Sequence, residues 1–469
     1  MKAQSIPSLQ TSPRQKRKGH ERVLGILIGC LALGFLVLQV LPVAELQWMV
    51  SFMILAVIIW VLPGIRGATL TISLFLLITA VSLMVYHHVP AQEWFSSLRI
   101  NLTLVSIILV VPLLGIPVKT GGYVEALKIV LAKKMNEPHF FFLGAKLLTH
   151  GLGVVLNMGA VSIVSQLTQA SNIKSPRLVA TAINRGFVTT MFWSPYFAAM
   201  ALILSQIPIQ WSSIVLYSFG LSLISILLSL FLERPFIKTN IRLDKEARVY
   251  SAEEVKDAKK KVAELVFYLV FITAMVLLLE FLTSSSIVFM ICLVSISFPL
   301  LWCLLKGKGN VYWREWKDHV FIGIPRVKKE IVLFLIAGFF SGAFVHTDLS
   351  GPLVGFIQQV FGSFQLGASL FLAGIVFLTA LVGIHPIVPI TIFVTSIDPA
   401  QIGFSQEYFA LLLLGSWGVS NTIAPATAVN NLLANLLNVN LIDVSIRWNL
   451  KFVLLMLLII PLYLMAVGV

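Results

Sequence analysis

The sequence has few charged residues. Only 12% of the 469 residues are Asp, Glu, Lys or Arg, and 58% are hydrophobic, whereas charge makes up about a quarter of an average soluble domain. The mean hydropathy is +0.94. This balance excludes an ordinary soluble domain and predicts an all-α polytopic membrane protein, because a bilayer core of about 30 Å accepts apolar helices of roughly 20 residues.

Cysteine is scarce, and nucleotide-binding signals are absent. The three cysteines, Cys30, Cys292 and Cys303, lie in apolar stretches without C-x-x-C spacing, so they predict neither a metal site nor a disulfide. No Walker A motif occurs, which disfavours direct use of ATP by this chain. No small-residue cleavage site follows the first apolar stretch, which we therefore expect to be a retained span.

Acidic residues are missing from the middle of every apolar stretch. Glu280, Asp398 and Glu407 lie near predicted boundaries of spans. Carboxylates inside a membrane normally mark proton and cation pathways. Their absence disfavours cation/proton antiport through a buried acid and favours an anionic or neutral substrate.

Apolar runs between charged breaks predict the membrane topology. Two stretches, 139–170 and 366–397, contain Gly, Asn, His or Pro near their middle, and we expect each to be a re-entrant helical hairpin that leaves on the side where it entered. They are called the first and second hairpins below. The eleven predicted spans are 23–41, 47–62, 68–86, 100–117, 178–205, 212–233, 264–282, 287–305, 330–348, 407–437 and 448–468.

Positive charge supports this topology. With a cytosolic N-terminus, the connections 234–263 and 306–329, which hold nine and seven Lys or Arg, both fall in the cytosol. The net charge of +14 is therefore interpreted as membrane orientation and contact with anionic lipid, not as nucleic-acid binding. The sequence predicts a multi-pass protein of the cell membrane.

Two segments match each other without a gap. Residues 185–200 (RGFVTTMFWSPYFAAM) align with residues 415–430 (GSWGVSNTIAPATAVN), so that Pro195 meets Pro425. A predicted hairpin precedes each segment, and a short amphipathic stretch precedes each hairpin. In the predicted topology the copies are inverted, and inverted repeats with interrupted spans are typical of secondary transporters.

This repeat predicts how the chain is divided. We expect two repeats, each with one hairpin and one broken helix, together with a tail, an extra helix and a linker. The predicted parts are a cytosolic basic tail 1–22, an extra helix 23–46, repeat 1 at 47–233 with broken helix 178–205, a cytosolic linker 234–263, and repeat 2 at 264–469 with broken helix 407–437.

The residues at the turns and breaks carry a resemblance to a known family. They are Asn157-Met158-Gly159 and Ile384-His385-Pro386 at the turns, with Trp193-Ser194-Pro195, Ser420-Asn421-Thr422 and Ala424-Pro425-Ala426-Thr427 in the broken helices. With the order of elements, this resembles the ion transporter superfamily, most closely its divalent anion/sodium symporter branch, whose motifs it matches in part. The resemblance implies alternating access, a divalent anion as substrate, Na⁺ as coupling ion and a homodimer.

The broken helices predict a binding site. A proline inside a helix frees carbonyls one turn earlier, which suits Na⁺, and the helix that restarts after the break suits an anion. The alternative is a pair of proline kinks with hydrogen bonds between helices. The candidate binding residues are Asn157, Gly159, Thr189, Thr190, Ser194, Pro195, His385, Pro386, Ser420, Asn421, Thr422, Pro425 and Thr427.

Three ionisable residues have open roles. His385 is a hydrogen-bond donor to substrate, a proton carrier or a structural histidine, and His150 is more often structural. Arg185 at a predicted span end either reaches the membrane interface or attracts an anion into a cavity.

The sequence therefore favours a secondary active transporter, not an enzyme. We expect a small, anionic substrate, coupling to Na⁺ or H⁺, and no cofactor apart from Na⁺ as a coupling ion. The expected partners are the substrate, the lipid bilayer and a second copy of the chain. The alternatives are a membrane subunit of a binding-protein-dependent uptake system, a flippase for a lipid-linked precursor, or a membrane-embedded glycan enzyme.

Overall fold

Helices make up the secondary structure of the described chain. This computed structural model describes residues 13–131, 137–169, 171, 173, 175–239, 250–283, 285–347 and 349–469. Residues 1–12 of the predicted tail, residue 170 of the first hairpin and residues 240–249 of the predicted linker lie outside the described residues.

The helices of the first half of the chain include the first predicted hairpin and the first broken helix. These are α1 Pro13–Val40, α2 Ala44–Val61, α3 Ala68–Tyr86, α4 Ala91–Leu98, α5 Leu102–Val110, α6 Gly115–Thr120, α7 Tyr123–Leu131, α8 Pro138–Leu156, α9 Met158–Gln169, α10 Pro176–Met191, α11 Ala198–Gln206 and α12 Trp211–Thr239.

The second half contains the corresponding elements. These are α13 Ala252–Thr283, α14 Ile287–Leu305, α15 Gly309–Asp318, α16 Ile324–Arg326, α17 Lys328–His346, α18 Ser350–Phe361, α19 Gln365–Leu381, α20 Ile387–Ser396, α21 Gln406–Ile423, α22 Ala428–Leu437 and α23 Leu450–Ala466.

Nine helices in the described part of the chain are long and apolar enough to cross a bilayer. The chain is thus a multi-pass membrane protein, and the predicted all-α polytopic class is confirmed. Two of the eleven predicted spans are not among the nine: 178–205 forms the separate helices α10 and α11, and 448–468 forms α23, which has 17 residues. The count of eleven, the hairpins' re-entry and the cytosolic N-terminus stay predictions.

Helices extend into the predicted tail and linker. Helix α1 already begins at Pro13, α12 continues to Thr239, and α13 begins at Ala252. The connection 306–329 also forms an amphipathic helix, α15, followed by a π-helical turn at His319–Gly323. Adding a residue to an existing helix gains a hydrogen bond without a new nucleation cost, and Lys, Arg and Glu are good helix formers. The apolar boundaries of the spans therefore did not predict these helix ends.

The two predicted broken helices lie in the protein interior. Every residue of α10 from Leu178 to Met191 is buried. Helix α21 is buried from Tyr408 to Ile423 with the exception of Asn421. Their polar side chains consequently contact protein and not lipid.

Each predicted hairpin contains a turn between two helices. Asn157 alone separates α8 from α9 and has a φ of +49°. In the second hairpin, residues 382–386 separate α19 from α20, and Gly383 has a φ of +93°. Helix α8 packs on α10, and α19 packs on α21. The helix before each turn therefore contacts the first segment of the broken helix that follows it.

The close packing of α8 on α10 depends on Gly186. A Cβ atom added there would lie 2.6 Å from the backbone oxygen of Lys146. We expect Gly186→Ala to lower the free energy of unfolding by about 1–3 kcal/mol, because the backbones must separate. The measurement is thermal or denaturant unfolding of the purified protein in detergent.

Gly151→Ala is the matched control on α8. An added Cβ there meets nothing within 4 Å, and alanine favours a helix over glycine by roughly 0.5–1 kcal/mol. Unchanged or higher stability is expected. Equal destabilisation by both substitutions would contradict this account of the packing.

Candidate functional site

Both broken helices restart at matched positions. We call residues 192–197 the first break and residues 424–427 the second break. Helix α11 begins at Ala198 and α22 at Ala428, each three residues after the proline of its break. The preceding residues have similar extended backbones, with φ and ψ of −93° and 141° at Phe197 and −72° and 144° at Thr427. The aligned segments thus share local structure, whereas their inversion in the membrane stays a prediction.

Asn430 holds the second break together. Its Nδ2 atom lies 3.3, 3.1 and 2.8 Å from the backbone oxygens of Asn421, Thr422 and Ala424. The Thr427 hydroxyl donates to the Ala424 oxygen at 3.0 Å. Carbonyl groups at the break therefore already accept hydrogen bonds from the protein, as buried backbone groups normally do.

Asn431 completes this arrangement. Its Nδ2 atom donates to the backbone oxygens of Pro425 and Thr427, both at 2.9 Å. The expected oxygen-rich patch is thus present, but asparagine side chains bind its oxygens. Sodium binding by these carbonyls stays a prediction, since an ion would have to share or replace those donors.

Asn184 joins the two broken helices. Its Nδ2 atom donates to Asn430 Oδ1 at 2.6 Å and to the Thr422 oxygen at 3.3 Å. Both asparagines are fully buried. This amide pair links α10 directly to both sides of the second break.

Hydroxyl groups at the end of α10 and in the first break are bonded to α8. Ser194 Oγ donates to the Val154 oxygen at 3.2 Å, and Thr190 Oγ1 donates to the His150 oxygen at 3.0 Å. Pro195 is buried beside Ser194. These groups hold the first break against the first hairpin, which is a structural role.

His150 has the bonding pattern of a structural histidine. Its Nε2 atom accepts from Trp193 Nε1 at 3.2 Å, and its Nδ1 atom lies 3.0 Å from Thr189 Oγ1. Because the indole N–H only donates, Nε2 is the acceptor and we assign the ring proton to Nδ1. Both ring nitrogens are thus engaged with protein.

Several polar groups of α21 lack a partner. Thirteen buried side-chain atoms have no hydrogen-bond partner in the described part of the chain, and four of them lie on α21: Ser416 Oγ, Trp417 Nε1, Ser420 Oγ and Asn421 Oδ1. We call these four residues the α21 cluster. A buried polar atom without a partner costs roughly 1–3 kcal/mol, so each needs an explanation such as a ligand, ion or water.

His385 places the second hairpin beside the α21 cluster. Its ring centroid lies 6.4 Å from that of Trp417 and 5.1 Å from that of Phe334. The His385 Nδ1 atom accepts from the Ile387 backbone N–H at 3.2 Å. We therefore assign the ring proton to Nε2, which has no hydrogen-bond partner among the described residues and can donate.

Other predicted site residues have local contacts. Thr422 Oγ1 lies 3.5 Å from the Gly418 oxygen, and Pro386 is buried immediately before α20. The Asn157 side chain makes no hydrogen bond in the described part of the chain, and the nearest atom to a Cβ built on Gly159 is Leu156 Cβ, at 3.6 Å. The candidate site is thus centred on α21 and His385. The turn of the first hairpin, at residues 157–159, makes no contact with it through these interactions in the described part of the chain.

Arg185 occupies a different position from the one we expected. It is 1% exposed and pairs with Glu233 at 3.0 Å. It also donates to Asn449 Oδ1 at 2.8 Å and to the Trp448 oxygen at 2.7 Å. A buried ion pair with several hydrogen bonds fits a structural role, and does not support interfacial contact or attraction of an anion into a cavity.

Four residues of this region are not among the candidate binding residues predicted from the sequence: Asn184, Trp417, Asn430 and Lys146. Asn430 lies five residues after the proline of the second break, a spacing that could have indicated a side chain folding back on the freed carbonyls. Lys146 is a cation inside an apolar stretch, which is itself a signal. Among the described residues, no group of three or more His, Cys, Asp or Glu could hold a metal ion.

Comparison with solved structures finds similar chains. No family model matches the chain, and no curated protein matches it. One similar solved structure is a crystal structure of the Alcanivorax borkumensis YdaH transporter, whose authors report an unusual topology. The TM-score is 0.49 and the sequence identity 16%, over 85% of this chain and 98% of that chain. Membership of the ion transporter superfamily stays a prediction.

Replacing Asn430 tests the structural role of the second break. We expect Asn430→Ala to lower the free energy of unfolding by about 1–3 kcal/mol, because buried carbonyls lose their donor. Detergent-solubilised protein is unfolded thermally or with denaturant, and midpoints are compared.

The neighbouring Asn431→Ala is the control for this test. Asn431 is exposed, so water can replace its amide and the loss should stay below about 1 kcal/mol. An Asn430 variant as stable as the wild type would refute the role of its amide.

Proposed function

We propose that this chain is a secondary active transporter for a small anionic solute, bound between His385 and the α21 cluster. The observation that carries the proposal is the set of four buried, unpartnered polar groups on α21 beside a free His385 Nε2. A solute that binds there supplies the missing partners. Such a site inside a multi-pass membrane protein suits a permease and needs no catalytic group.

Charge near this site favours an anion. The segments of the two hairpins and broken helices carry one acidic residue, Glu407, in the first turn of α21. The Trp417 and His385 N–H groups can donate hydrogen bonds to an anion.

The helix restart adds favourable electrostatics. Helix α22 begins directly after the second break and has ten residues. The N-terminus of a helix carries a partial positive charge and favours anions, while Ser and Thr hydroxyls and carbonyl groups suit a sodium ion. The coupling ion in this proposal is H⁺ or Na⁺.

The placement of the site between elements of both predicted repeats supports alternating access as the mechanism of this proposed transporter. Asn421 Nδ2 lies 3.4 Å from Met191 Sδ at the end of α10, and His385 belongs to the second hairpin. A relative motion of these elements would expose a bound solute to one side and then to the other.

Reconstituted transport tests the function. The purified protein is placed in proteoliposomes and supplied with a panel of labelled monocarboxylates, dicarboxylates and inorganic anions under imposed H⁺ or Na⁺ gradients. We expect gradient-dependent uptake of at least one anion. A complete panel without protein-dependent flux would overturn the proposal.

Two substitutions test the binding site. Asn421→Ala and His385→Ala should each reduce uptake by about tenfold or more, since the loss of one hydrogen bond to a bound anion is worth roughly 1.5–3 kcal/mol. Initial rates over a range of substrate concentrations are measured on vesicles with equal protein content.

Asn435→Ala serves as the matched control, because Asn435 is exposed on α22. Its uptake should equal that of the wild type. Wild-type rates in both the Asn421 and the His385 variants would exclude this position for the site.

A further inference from the structure

Lys146 is a buried cation that the proposed solute site does not use. It lies within α8 and is 0% exposed. Its Nζ atom donates to the Ser225 backbone oxygen at 3.2 Å. Within the described residues, no carboxylate forms an ion pair with it.

The surroundings of Lys146 already contain positive charge. The Phe452 ring lies 5.8 Å from Lys146 Nζ and 4.7 Å from Arg185 Cζ. Arg185 and Arg177 both pair with the single carboxylate Glu233, at 3.0 and 3.2 Å. A proton on Lys146 therefore adds a third cation to a region with one buried carboxylate.

Because the region has more basic groups than carboxylates, we expect the protonation state of Lys146 to depend on the conformation of the protein. A buried ammonium without an anionic partner is costly, whereas a neutral amine needs only ordinary hydrogen bonds. A conformation that admits water to Nζ would remove this cost. Lysine is suited to such an exchange because it can lose its proton, which arginine does not do in proteins.

Polar groups line α12 beside Lys146. Ser218, Ser222, Ser225 and Ser229 recur every three or four residues, so they share one face of the helix, and all are buried. The Ser218 and Ser225 hydroxyls have no partner among the described residues. Ser222 donates to the Thr189 oxygen at 3.0 Å. These hydroxyls extend from the level of Glu233 toward the first break.

We propose that Lys146 carries the coupling proton of this transporter, an inference that rests on the proposed function. A proton from water on one side adds to the Nζ lone pair and forms the ammonium. On the other side the ammonium returns that proton to water and the amine reforms, with no oxidation or reduction. The ionisable groups facing Lys146 are Arg185 on α10, Glu233 on α12 and His150 on its own helix, while α23 contributes the Phe452 ring.

Two assays on the same proteoliposomes test the coupling. One measures exchange of labelled for unlabelled anion without an ion gradient, and the other measures accumulation driven by a pH gradient. Lys146→Met should retain exchange within about threefold and lose accumulation driven by the pH gradient, because exchange moves no net proton. The exposed Lys451→Met is the control, and it should retain both.

The outcomes separate this inference from the proposed function. Accumulation driven by a pH gradient in Lys146→Met would overturn the coupling role alone. Wild-type accumulation that follows only a Na⁺ gradient would also overturn it, while leaving the transporter assignment in place. Wild-type protein that moves no anion in either assay would overturn the proposed function and the coupling role together.

A second measurement, on the wild-type protein, tests the proposal even if Lys146→Met does not fold. Wild-type protein with ¹³C-labelled lysine side chains is titrated in nanodiscs and followed by NMR. We expect one buried lysine signal, assigned through Lys146→Gln, to pass between amine and ammonium shifts while the protein stays folded. An ammonium shift throughout the titration would overturn the proposal.

Discussion

The need to hydrogen-bond every interrupted backbone group away from water governs the interior of this protein. A helix that stops inside an apolar bundle leaves carbonyl groups that no solvent reaches. Asn430 bonds the buried carbonyls of the second break, and Asn184 on α10 donates to Asn430. Helix α10 therefore supplies part of the support of the second break.

This constraint separates two sets of polar residues that look alike in the sequence. The side chains of Thr190, Ser194 and Asn430 donate hydrogen bonds to backbone oxygens and so stabilise the breaks. Ser420 and Asn421 lie on α21, just before the second break, and each has a buried oxygen without a partner among the described residues. Ser420 and Asn421 are therefore available to bind a solute. Thr190, Ser194 and Asn430 hold the surrounding helices in place.

The sequence predicted the helical class and the positions of both breaks for a physical reason. Helical spans follow from apolar length, and a break follows from a proline within a span. Bonding between distant segments is different, because Arg185 and Glu233 are 48 residues apart and Asn184 and Asn430 are 246 apart. Periodicity carries no information on such pairs, so the buried ion pair of Arg185 and the bonded carbonyls of the second break required the structure.

The contacts between α8 and α10 have a mechanical consequence. Two hydroxyls of α10 and its first break bond to carbonyls of α8, and Gly186 permits backbone contact between the helices. A slide of one residue, about 1.5 Å, would break both bonds and drive a side chain into the contact. These contacts therefore resist sliding of α8 along α10. We expect a large displacement of one helix to move the other with it, together with Lys146 on α8 and the first break after α10.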